Sequence, residues 1–271
     1  MIDKKQLTEI LYLSCVENYY LAWLKEHYDI RNLYGNQFIS LKQVFYDFKF
    51  GANYESYYQV SRLQDIAEYS GITKHNYFNC QLKEAFNIIQ SQNNDSLCLI
   101  KVNEKFFKTF KRFAWRADHY ICVDAYLEWI NQYPLSSGSF TLKQLEDCYG
   151  GCLCIYRLGD LSVEMIDNVS EALIREDFDI KDIPVTLKDL HSAIGILRIT
   201  RKRLKDYYHN NKKIQSLFTY LVDYLDKLYF QIKVMELRGL GSKKISDLVS
   251  PIIDYERQIS KELKNEEINK T

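Results

Sequence analysis

The apolar period of this chain changes once along its length, and that change limits the folds open to it. Up to about residue 165, short alternating runs interleave with short helical ones. "SLCLIKV" (96–102), "HYICVDAYL" (119–127) and "CLCIYRLG" (152–159) read as strands, with a short return strand in "EWINQYPL". Helices are expected over 14–27, 63–69 and 81–92, and from a cap at Thr141 through Cys148 to a Gly-Gly stop. Beyond 165 the period is helical. Leu187, Leu190, Ile194 and Leu197 share one face, and Ile214, Leu217, Phe218, Leu221, Leu225, Leu228 and Ile232 make a longer stripe. Ser250-Pro251 reads as the cap and first residue of a final helix. No internal repeat interrupts this order. The pattern predicts an α+β fold, with one domain over 1–165 and a helical region over 166–271.

Charge narrows the partners. Lys+Arg and Asp+Glu are 36 each, so overall charge argues for no nucleic acid. Residues 187–271 nevertheless carry 17 basic against 11 acidic groups, and the basic end centres on "RITRKRLK" (198–205) with Lys212 and Lys213. That segment is either a solvated helix face or, through Arg201, Lys202 and Arg203, a docking surface for an acidic partner. "MIDKKQLTEI" has no apolar core of a signal peptide, and no run reaches the roughly 18 apolar residues of a membrane span. The expectation is a cytoplasmic chain, without membrane contact, whose seven cysteines stay reduced.

One cysteine stands apart. In "YLSCVENYYLAW", Ser14 and Glu17 have the spacing of a capping box, which makes Cys15 the first residue of a helix. Unpaired backbone N–H groups and the helix dipole favour a thiolate there. A nucleophile needs a base. Of His27, His75, His119, His191 and His209, only His119 opens a strand; His191 and His209 lie in helical stretches with no partner at i+4. Cys15 as a small core residue and His119 as a structural histidine are the plainer alternatives. Cys148, Cys152 and Cys154 have the spacing C-x₃-C-x-C, which does not match zinc pairs, so no metal and no cofactor is expected. The aromatics of "FYDFKFGANYESYY" (45–58) either pack in the core or line an acyl pocket.

A cysteine on the first helix, then "LCLIKVNEKFF", a linker, "ADHYICVDAYLEW" and "LSSGSFTLKQLEDCYGG" together resemble the C39-like, papain-fold cysteine enzymes. Over about residues 7–160 the chain is similar to the butirosin H-type acyltransferases, and also to the amide-forming enzyme of closthioamide assembly. The resemblance implies a papain-like core with extra C-terminal helices. It implies transfer of an acyl group from an acyl carrier protein thioester, through an acyl-cysteine, to a small amine acceptor in natural-product biosynthesis. It gives Cys15 the role of nucleophile and His119 that of base. The family places a glutamine of the oxyanion hole six residues before the cysteine, where this chain has Glu9. The family also has an Asp or Asn orienting the histidine; Asn131 is the suitable residue in that window, with Asp124 the nearer alternative. A papain-like protease or amidase, and a non-catalytic protein that binds a carrier or ligand, are the competing readings.

Overall fold

The computed structural model describes residues 2–9, 14–35, 39–51, 71–93, 95–110, 119–132, 134–159, 173, 186–239 and 245–270. The helix expected over 63–69 and residues 52–58 of the aromatic run lie outside them. The chain divides into two compact units, Met1–Ile30 with Gln64–Glu164 and Arg31–Leu63 with Met165–Thr271. The sequence reading grouped all of 1–165 together. Here α3 (Arg31–Gly35) and α4 (Leu41–Lys49) group with the C-terminal helices instead.

The first unit is mixed α and β. In chain order it holds α1 (Lys4–Glu9), α2 (Cys15–Lys25), β1 (Thr73–Phe78), α5 (Leu82–Gln90) and β2 (Ser96–Val102). Then follow α6 (Glu104–Thr109), β3 (His119–Val123), β4 (Glu128–Asn131), β5 (Ser136–Ser139), α7 (Leu142–Cys148) and β6 (Tyr149–Arg157). The strands form one antiparallel sheet in the order β1-β6-β2-β3-β4-β5. Strand alternation turns Cys98, Ile100, Ile121, Val123, Trp129, Leu153 and Ile155 to one face. Phe106, Phe107, Ala85, Ile89 and Leu145 from α5, α6 and α7 cover that face. The "YYLAWL" run makes α2 apolar all round, and it is buried from Glu17 to Leu24. It packs on the other face, where the Tyr20 ring lies 4.7 Å from that of Tyr156. β1 was not legible because "TKHNYF" is an edge strand, largely exposed, with no apolar alternation to read.

The strand expected over 119–127 is shorter. β3 stops at Val123 because Asp124 Oδ1 accepts the backbone N–H groups of Tyr126 and Glu128, each at 2.9 Å. Leu127 takes a left-handed φ of 61°, uncommon for a leucine, and β4 returns at once.

The second unit is helical among its described residues. α8 (Leu187–Tyr207) packs against α3, α4 and α9 (Lys212–Leu237), and α9 packs against α10 (Ile245–Lys270). The apolar stripe of α9 is its buried face, including Ile214, Phe218, Leu221, Leu225, Leu228 and Ile232. α10 starts at Ile245, not at Pro251, which sits inside the helix. The proline leaves the carbonyl one turn before it without a helical donor. Next to that break, Tyr224 donates its hydroxyl to the Leu248 carbonyl at 2.8 Å.

The basic segment of α8 is not the docking surface allowed for above. Arg201 and Arg203 are 0% and 1% exposed. Arg201 Nε donates to Glu256 Oε1 at 2.6 Å and Nη1 to the Ile39 carbonyl at 2.7 Å. Arg203 lies over the Tyr34 ring. Arg198 and Lys202 both bind Asp226, at 2.6 and 3.1 Å. Burial alone would raise the Asp226 carboxyl, but these two donors hold it below its ordinary value. Arg198, Arg201 and Lys202 thus spend their charge inside the helical unit on carboxylates far along the chain. Glu256→Ala removes the carboxylate that balances the buried Arg201 charge, and should cost roughly 3–5 kcal/mol in urea unfolding. Asp226→Ala, at a part-exposed pair, should cost about 1 kcal/mol or less.

Candidate active site

His119 of β3 and Asn131 of β4 bond to each other at one end of the β3–β4 pair, and the Cys15 sulfur of α2 lies against the neighbouring backbone at Tyr120. α2 begins at Cys15 because Ser14, in extended conformation, caps it: Ser14 Oγ accepts the Glu17 N–H at 3.2 Å. The first helical bond runs from Asn18 N–H to the Ser14 carbonyl, so the N–H groups of Cys15 and Val16 have no acceptor within the helix. A full reciprocal capping box is present at Thr141 and Gln144 of α7. Cys15 is only half-buried, as is Cys152; the other five thiols are buried.

Burial works against the ready thiolate expected at Cys15. Burial pushes its pKa up from 9.0, and backbone hydrogen bonds at Tyr120, Val16 and Cys15 itself pull it only part of the way back. The bond at Tyr120 also locates the sulfur: it lies against the backbone of the residue next to His119.

His119 opens β3 and is 7% exposed. Its ring packs 5.4 Å from that of Phe107. Its Nε2 lies 2.6 Å from Asn131 Oδ1, and Asn131 is fully buried at the end of β4. The roles within this bond can be derived. Asn131 Nδ2 donates to the Pro134 carbonyl at 3.0 Å, and a carbonyl can only accept. The amide oxygen therefore faces His119, Nε2 carries the proton, and Nδ1 is the basic nitrogen of the neutral ring. Burial lowers the His119 pKa from 6.5, and the bond to Asn131 raises it part of the way back.

Asp124, the other possible third member, is spent on the β3–β4 turn. The two residues should therefore separate by experiment. Asn131→Ala should lower turnover roughly tenfold to a hundredfold, the cost of a misplaced catalytic group. Asp124→Ala should leave turnover near wild type and cost about 1–3 kcal/mol of stability through two lost N–H acceptors.

Glu9 is the last residue of α1, six before Cys15. Of the other cysteines, Cys148 is buried in the core beside Leu145, and Cys152 and Cys154 alternate along β6. Among the described residues no group of three His, Cys, Asp or Glu is arranged to hold a metal ion. No described helix is long and apolar enough to cross a membrane.

One residue escaped the sequence reading. Tyr19, one turn along α2 from Cys15 and fully buried, donates its hydroxyl to the Ile130 carbonyl at 3.2 Å and accepts the Gln132 N–H at 2.8 Å. In a run of two tyrosines within an apolar helix, nothing distinguishes it from a packing residue. Comparison with family models, with curated proteins and with solved structures returned no match to this chain.

Proposed function

We propose that the chain is a cysteine-dependent acyltransferase with a papain-like arrangement of its site, moving an acyl group from a carrier-protein thioester to an amine. The observation that carries this reading is the buried His119–Asn131 hydrogen bond, with a helix-N-terminal thiol against the backbone of the next residue, Tyr120. A strand histidine held in one tautomer by a buried amide has little structural purpose that a leucine would not serve better.

In the first step Cys15 Sγ attacks the thioester carbonyl while His119 Nδ1 takes the thiol proton. The N–H groups at the start of α2, which have no acceptor within the helix, stabilise the oxyanion. The tetrahedral intermediate expels the carrier thiolate, which takes the proton from the imidazolium, and acyl-Cys15 remains. In the second step the amine attacks acyl-Cys15, Nδ1 accepts its proton, and the Cys15 thiolate leaves and is reprotonated. Each step starts from a neutral base.

The raised thiol pKa supports a thioester donor over a peptide bond. A nucleophile that is not ionised in advance suits an electrophile already activated, and a thioester is far more reactive than an amide. On this reading the resting groups are a thiol and a neutral imidazole, in line with the directions in which burial moves both. The alkylation rate of Cys15 by iodoacetamide should therefore keep rising with pH to beyond 9.0. A rate that is flat from pH 5 upward would indicate a preformed thiolate–imidazolium pair and remove this argument.

The direct test is mass spectrometry of the protein after incubation with acyl carrier thioesters. The reading requires the acyl mass on the Cys15 peptide and its discharge by an added amine. Acyl mass on Cys152 instead, or discharge by water as fast as by any amine, would refute it.

A further inference from the structure

We propose that the Tyr19 hydroxyl is a positioning group that sets the His119–Asn131 pair against the Cys15 thiol. This rests on the reading of those three residues as a catalytic set. The β3–β4 register runs Val123↔Trp129 and Cys122↔Ile130 and goes no further. Asp124 N–H donates to the Glu128 carbonyl, so the backbone groups of Glu128 and, by alternation, Ile130 and Gln132 face β3. In a continued ladder Gln132 N–H would go to β3. It goes to Tyr19 instead.

The two strands thus part at the end where His119 and Asn131 lie, and a phenol from α2 takes up the Gln132 N–H there while donating to the Ile130 carbonyl at the last ladder pair, so that it bonds the backbone on both sides of Asn131. Cys15 and Tyr19 are four residues apart and so lie on one face of α2. A single rigid turn of helix therefore connects the nucleophile to the backbone that holds Asn131. Asn131 is fixed through its own Nδ2 to Pro134 as well, so its oxygen has one direction left, toward Nε2. The hydroxyl never touches the reacting atoms. It acts through Asn131 on the placing of the imidazole.

The test uses the full chain and needs no acyl donor. Alkylation of Cys15 by iodoacetamide is followed peptide by peptide in wild type, Tyr19→Phe, Asn131→Ala and the double variant. Tyr19→Phe keeps the ring and removes only the hydroxyl. It should slow alkylation near neutral pH roughly tenfold to a hundredfold and shift the pH dependence contributed by His119. In the Asn131→Ala background it should add almost nothing, because both changes act through one group. A wild-type rate in Tyr19→Phe, or losses that multiply in the double variant, would overturn the proposal; the latter is what plain destabilisation produces. Should Tyr19→Phe fail to fold, amide exchange in the wild type decides. Gln132 N–H, which lies outside the β3–β4 ladder, must then be protected, and exchange at the rate of a free amide rejects the bond. If this set of rates comes out as expected while no thioester acylates Cys15, the donor class is wrong and the positioning role stands.

Discussion

Cys15→Ala should form no acyl-enzyme at all with a carrier thioester, while its unfolding midpoint stays close to wild type. The side chain is half-buried and shrinks by one sulfur, so little packing is lost. The chemistry is lost entirely, since every step of the proposed transfer runs through Sγ. Intact-mass spectra before and after donor addition check it. Acyl mass retained by Cys15→Ala would move the nucleophile elsewhere.

His119→Ala has the second largest expected effect. Removal of a positioned proton-transfer group should lower the acylation rate by roughly two to four orders of magnitude. The pH profile carries the sign. The base works only when neutral, so the wild-type rate rises as pH increases through the His119 pKa. Burial holds that value below 6.5, which puts this inflection on the acid side of neutrality. His119→Ala should lose the inflection and keep only the slow rise that follows the raised thiol. Stopped-flow acylation between pH 4 and 9 reads both; an acid limb that survives the substitution would assign it to another group.

The candidate site was legible where local rules suffice. Ser14 marks the start of α2 by side-chain chemistry alone, and "HYICV" is a strand by composition. Asn131 was the only suitable group in its window, and its bond to His119 needs only two adjacent antiparallel strands. What failed were properties set by groups far along the chain. The pKa direction of Cys15 depends on how deeply α2 sits, which a cap pattern does not encode. Tyr19 looks like any core tyrosine until β4 is laid beside it. "RITRKRLK" reads as a solvated basic face because Glu256 lies 55 residues on and the Ile39 carbonyl 162 residues back. Pro251 reads as a helix start because a proline inside a helix is tolerated only through tertiary context.

The grouping of α3 and α4 with the C-terminal helices also dictates an order of events on the ribosome. Both helices are made early, and the contact between Ile39 and Arg201 spans 162 residues. At roughly 5–20 residues per second, α4 waits on the order of ten to thirty seconds for α8 to be synthesised. During that interval the face of α4 made by Leu41, Val44, Phe45 and Phe48, buried in the finished protein, has no α8 to pack against. The nascent chain therefore exposes an apolar helix face over that stretch. A fragment cut at residue 165 would carry the same exposed face permanently, and should aggregate where the whole chain does not.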